Sequence, residues 1–211
     1  MTPSTLISII RERYNAVNDS FFSDIMLYNA LYQAQMQLAL ECNLIENTYT
    51  TTSTAGERNY AYPSTAISIR RVEYKGVKVC PVALIEDPKT STTEPTGTPG
   101  EYAIWDNEII FFATPDTDGD EIKVFSYDMP SEVSATSVLS VPAQYHMSLT
   151  DFVIALMFEK EQNDKMANYH RTLWERAVNR IKRQRAIAKR GDSYAVVRDY
   201  ADSPSHPGIT R

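Results

Sequence analysis

Asn47-Thr48-Tyr49-Thr50-Thr51-Thr52-Ser53-Thr54 is the stretch where the chain changes character. Five of these eight residues are threonine. Their β-branched side chains are stiff at χ1, resist helix and suit the pleated surface of a strand. Residues before this stretch are spaced as helix, and those after it as strand.

Working back from Asn47, the residues predict two helices. Thr2 before Pro3 pairs a cap with proline at the first helical position, and Leu6, Ile9, Ile10, Tyr14 and Val17 recur at helical spacing. Asn18, Asp19 and Ser20 interrupt the pattern. Ser23-Asp24 restarts it, with an acid where the helix dipole favours one. Leu27, Leu31, Ala34, Leu38 and Cys42 form a single apolar stripe.

Working forward, strands are predicted over 67–74, 77–82, 101–105, 109–113 and 121–127. Gly76, Asp106-Asn107 and Asp116 to Asp120 supply the turns. The Thr-, Pro- and Gly-rich residues 87–100 predict an exposed loop. After Pro130 and Pro142 the helical period returns. Tyr145, Leu149, Phe152, Val153 and Leu156 define a third helix. Asp164 is expected to cap a fourth that runs to Arg190, with Met166, Tyr169, Leu173, Ala177 and Ile181 facing inward.

The fold class expected is therefore α+β. A helical bundle is built from residues 1–46 and 131–190, with a β domain inserted at 47–130 and an extended C-terminal arm at 191–211. Each helix has one stripe to bury, so the helices from the two ends must pack together.

Composition is ordinary for a globular chain of 211 residues. No run approaches the ~20 apolar residues of a membrane helix, so no membrane partner is expected. Met1-Thr2-Pro3-Ser4 has neither the basic start nor the apolar run of a signal peptide, which predicts retention in the cytoplasm. Cys42 and Cys80 are too few for a disulfide framework or a zinc site and read as small apolar residues.

Catalytic motifs do not emerge. Seven glycines provide neither a phosphate loop nor a dinucleotide fingerprint, and no G-x-S-x-G elbow occurs. His146, His170 and His206 lack metal-ligand spacing. A calcium loop starting at Asp116 would need glycine sixth and glutamate twelfth, where Glu121 and Tyr127 stand. The pairs Glu159 with Glu161 and Glu86 with Asp87 read as solvated surface. The chain reads as non-enzymatic, with no catalytic residue, cofactor or metal.

Charge is more informative. The net charge is −6, yet residues 171–190 carry +7 and residues 191–211 carry −1, leaving −12 on the first 170. Such polarisation points to a distinct partner at one end. Arg176, Arg180 and Arg183 lie on one face of the fourth helix, with Lys182, Arg185, Lys189 and Arg190 around it. Either phosphates or an acidic protein surface suits that face, as does plain solvation at a helix C-terminus. In the arm, Tyr194, Val196, Val197 and Tyr200, together with Arg198, form a short apolar run. Such a run docks on a partner by adding a strand or filling a groove.

The order of elements, with several local phrases, resembles the head-to-tail adaptor family of tailed, especially short-tailed, bacteriophages. The phrases are Leu27-Tyr28-Asn29-Ala30, Tyr60-Ala61-Tyr62-Pro63, Arg71-Val72-Glu73-Tyr74-Lys75-Gly76 and Gly97-Thr98-Pro99-Gly100-Glu101-Tyr102. Ile109 to Pro115, Tyr127 with Pro130, and Val141-Pro142-Ala143-Gln144-Tyr145-His146 follow. The likeness runs from Leu6 to about Ile187, carried by order and spacing rather than by any one phrase. It implies a virion protein forming a homo-oligomeric ring of about twelve copies beneath the portal protein. Double-stranded DNA would pass through the lumen without sequence-specific binding, and the far side would dock tail nozzle or tail tube proteins. The family's arm would bind the portal, here from about Gly191. Three alternatives stay open: a stopper or tail-completion connector, a small cytoplasmic enzyme with an unrecognised site, and a nucleic-acid-binding module using the basic helix.

Overall fold

The computed structural model describes residues 1–16, 20–84 and 95–190, with side chains to Ile187. Two helices, α1 (Pro3–Tyr14) and α2 (Asp24–Cys42), precede seven strands. These are β1 (Glu46–Thr52), β2 (Asn59–Ala61), β3 (Ala66–Tyr74), β4 (Val77–Pro81), β5 (Glu101–Trp105), β6 (Glu108–Phe111) and β7 (Glu121–Asp128). Two helices, α3 (His146–Lys160) and α4 (Asp164–Arg190), close the fold and pack against the first two. The class is α+β, as expected from the threonine-rich switch.

Local chemistry sets the boundaries. The Thr2 hydroxyl accepts from the Thr5 N–H at 3.2 Å, and the Ser23 hydroxyl from Met26 at 3.3 Å. Asn15 and Asn43 end α1 and α2 in the left-handed region, with φ of 62° and 50°. Lys75-Gly76 and Asp106-Asn107 have positive φ at both positions, as two-residue hairpins of the twisted kind require.

The single curled sheet has the order β1-β7-β3-β4-β5-β6-β2. All neighbours are antiparallel except β4 and β5, whose pairing through Cys80 and Pro81 is parallel. The three-residue β2 was not foreseen, being too short to show a period. Two cores result. In the sheet, Val72, Tyr74, Ile109, Phe111 and Ile122 are almost fully buried against one another. In the bundle, Leu6 and Ile10 of α1 meet Leu27, Leu31 and Leu38 of α2 and Leu149 and Val153 of α3. Each such side chain contributes about 2 kcal/mol on burial.

Three expectations are corrected. Asn163, one residue earlier than Asp164, caps α4 by accepting from the Met166 N–H at 3.3 Å. The inward face of α4 is Ala167, Trp174, Val178 and Ile181, while Met166 and Tyr169 are 36% and 56% exposed. Two apolar stripes lie side by side on this helix, and the one with the large indole takes the core. Cys80 is an exposed free thiol on β4, unlike the buried Cys42, whose thiol pKa burial raises.

One carboxylate ties together the strand ends at the side of the sheet where the chain enters and leaves it. Asp128 ends β7 and is 4% exposed. It accepts from Asn47 Nδ2 at 3.0 Å, Thr65 Oγ1 at 2.8 Å, Ser126 Oγ at 2.6 Å and the Tyr49 hydroxyl. Its own N–H donates to the Ile45 carbonyl at 2.9 Å, and the next N–H, of Met129, to Thr65 at 2.8 Å. Burial pushes its pKa up, but the four donors outweigh that and hold it below the ordinary 3.8. A lowered folded pKa contributes stability that is present above 3.8 and lost as pH falls below it.

Replacing Asp128 with alanine strands those donors and is expected to lower unfolding free energy by about 3 kcal/mol. A urea titration reads this directly. Asp128→Asn should also flatten the loss of stability on acidification, and an unchanged acid limb would discount the carboxylate.

Candidate interaction surfaces

Helix α3 is the axis of the bundle, with α1, α2 and α4 around it. One side of it stays open, as a shallow groove of about 560 Å³ between α1, α3 and α4. Arg13, Met147, Leu173, Arg176, Ala177 and Arg180 line it. Met147, Leu173 and Ala177 give it an apolar floor; Asp151 lies beside Arg13 on one side, and Arg176 and Arg180 stand on the other. The stripe expected to face the core, from Met166 through Tyr169 to Leu173 and Ala177, leads to this groove.

The arginines divide by what they touch. Arg13 reaches across to Asp151 at 2.9 Å and to the Thr150 hydroxyl. Asp151 also meets His170 at 3.2 Å, and that imidazole stacks on Phe158 with ring centres 5.6 Å apart. Arg176, Arg180 and Arg183 have no carboxylate partner among the described residues. These three candidates do share one exposed side of α4, the first two inside the groove.

Two other cations of α4, read from sequence as part of the same basic field, are turned toward α2 and β1 instead. Lys182 pairs with Glu41 at 2.8 Å, which raises its pKa. Arg185 donates to the Asn43 carbonyl at 2.7 Å and to Glu46 at 2.6 Å. They fix the end of α2 and the start of β1 against α4. Periodicity around a helix can assign a face, but not which face finds acids, so this division was not legible beforehand. The backbone of Lys189 and Arg190 ends α4. Tyr194, Val196, Val197, Arg198, Tyr200 and His206 lie outside the described residues.

The titratable groups singled out for chemistry are engaged structurally. His146, 4% exposed, bonds through Nε2 to the Val141 carbonyl at 2.8 Å, and burial lowers its pKa. The Asp116–Asp120 segment is a polar turn. Asp120 is held by Lys75 at 2.8 Å, then by Thr117 and the Tyr74 hydroxyl, which together bring its pKa to about 2. Asp118 accepts from the Ala55 N–H at 2.7 Å. Among the described residues no three His, Cys, Asp or Glu side chains gather where they could hold a metal. A second hollow, of about 610 Å³, lies against β1 and β7, where Arg70 donates to the Tyr127 hydroxyl at 2.6 Å. No described helix is long and apolar enough to cross a membrane.

The split between inward and outward cations has a measurable form. Arg185→Ala should lower stability by about 1 kcal/mol, since Glu46 is exposed and screened. The triple change Arg176→Ala, Arg180→Ala, Arg183→Ala should lower stability by less than that. Chemical denaturation of both variants decides, and the reverse ranking would reject the division.

The family model of the SU10 adaptor protein matches residues 1–198. No curated protein matches the chain.

Proposed function

The chain belongs to the SU10 adaptor protein family, phage head-to-tail adaptors of the virion, and from that premise we propose that it works as a ring subunit beneath the portal. About twelve copies would close the ring, extend the DNA channel and offer the tail nozzle or tail tube a docking surface. Residues 47–130 would act as an inserted β domain on a bundle of 1–46 and 131–190. The arm, 191–211, would hold the portal through Tyr194, Val196, Val197, Arg198 and Tyr200, with Lys189 and Arg190 at its root.

The observation that carries this reading is the open side of α3. A closed ring of identical subunits needs two different, mutually complementary faces. The groove presents an apolar floor with Arg176 and Arg180 unpaired on its rim and Arg183 one turn on. The rest of the chain carries the opposite charge, −12 over the first 170 residues. A neighbouring copy therefore supplies the apolar cover of this side and the acids that Arg176 and Arg180 lack. A structural role also suits a fold whose buried polar groups tie elements together.

Electron microscopy of the chain mixed with its portal is expected to show capped portals. Deleting residues 191–211 should abolish capping. Neutralising Arg176, Arg180 and Arg183 together should weaken ring closure at least tenfold and reduce its salt sensitivity. Binding only to a preformed portal–connector complex would indicate a stopper or tail-completion protein. Steeply salt-dependent binding of the free subunit to DNA would favour the nucleic-acid reading.

A further inference from the structure

The sheet has two edges, and they are treated differently. Strand β2 is three residues long and is followed by Pro63, two of the usual devices that keep an edge from pairing. Strand β1 is seven residues long with the sequence ENTYTTT. It contains no proline or lysine, pairs with β7 without a bulge, and has one charge, Glu46. Every residue of it except the half-buried Tyr49 is exposed.

The hydrogen-bond parity of this edge follows from its ends. Asp128 donates to the Ile45 carbonyl at 2.9 Å, and Ser53 donates to the Asp120 carbonyl at 2.8 Å. In an antiparallel pair the bonding direction alternates, so odd-numbered residues of β1 address β7. Glu46, Thr48, Thr50 and Thr52 therefore turn their N–H and C=O groups to the open side. One of those donors is already taken, because the Thr48 N–H donates to Asn47 Oδ1 at 2.8 Å. The others form an unguarded template for one more strand.

The position of the chain's end names the occupant. Arg185 bonds to Glu46, the first residue of β1, so α4 finishes at the base of this edge. Five more helical residues rise only about 7.5 Å. The four residues from 191 to 194 span up to about 13 Å. A span of that length is enough to return the chain to the edge where the last turn of α4 runs alongside it. Residues 194–200 read Tyr-Ala-Val-Val-Arg-Asp-Tyr, a run rich in strand formers between polar flanks. Tethering at so short a distance gives an effective concentration in the millimolar range.

We propose that, in the free subunit, residues 194–200 add as a strand to the open edge of β1 of their own chain. The contact is made mainly by backbone, so it is exchangeable for another edge of the same kind. This goes beyond the adaptor reading and is tested on the isolated subunit, so its outcome is independent of whether portals are capped.

The test is residue-resolved amide exchange on the full chain, on a chain ending at Arg190, and on Thr50→Pro. Thr50 points its N–H outward, so proline there blocks the edge while sparing the ladder with β7. In the full chain the Thr52 amide should exchange at least tenfold more slowly than in the chain ending at Arg190, and alternate amides of residues 194–200 at least tenfold more slowly than in Thr50→Pro, at any protein concentration. The Tyr49 and Thr51 amides, which face β7, should stay protected throughout and report that the sheet is intact. If Thr50→Pro disturbs them, Val197→Pro in the arm gives the same comparison without touching the sheet. Equal exchange with and without the arm overturns the proposal. Protection that grows with concentration also overturns it, since a second copy would then hold the arm.

Discussion

The fold depends on one buried carboxylate placed where the chain passes between its two halves. Asp128 stands at the end of β7, and its acceptors are filled by Asn47 and Tyr49 of β1, by Thr65 at the entrance to β3, and by Ser126. The outgoing and returning crossings are thereby fastened to a single side chain. Removing such a group exposes no large apolar surface. It leaves several donors with nothing to donate to, and a buried polar network is worth most when every member is satisfied.

With the crossings fixed, the helices have little freedom in how they close. Gln35 of α2, fully buried, accepts from the N–H groups of Ser140 at 2.9 Å and Val141 at 3.4 Å, which seats the segment leading into α3. Helix α3 then enters a space bounded by α1 and α2, and α4 covers a third side with Trp174. Because Trp174, Val178 and Ile181 take the core, the neighbouring stripe of Leu173 and Ala177 is left half-exposed beside Arg176 and Arg180. An interaction surface is the by-product of that choice of face.

Much of this was legible in the sequence. The threonine run, the Ser23-Asp24 restart, the stripe from Leu27 to Cys42 and the Asp106-Asn107 turn each express a local preference that the fold respects. What was not legible depended on comparison between distant segments. Two adjacent apolar stripes on α4 are equivalent until Cys42 and Phe152 select one. Lys182 and Arg185 look like Arg180 and Arg183 until Glu41 and Glu46 are brought beside them. Strand β2 covers the edge of β6 that β5 leaves open, a pairing that Asn59-Tyr60-Ala61 is too short to announce by itself. The family was legible through the order of phrases, while the groove on α3 required coordinates.

The bundle is discontinuous in sequence, and that has a kinetic side. The stripes of α1 and α2 find part of their cover only in α3, which begins at His146, about a hundred residues after α2 ends. At about 5–20 residues per second, synthesis leaves those stripes without α3 for about 5–20 seconds. During that interval the strands, which are contiguous in sequence, are complete, and pairing of β1 with β7 returns the chain to the end of α2 before α3 is made. With that pairing made, the loop that α3 must close against α1 and α2 shrinks from about a hundred residues to the short segment after β7.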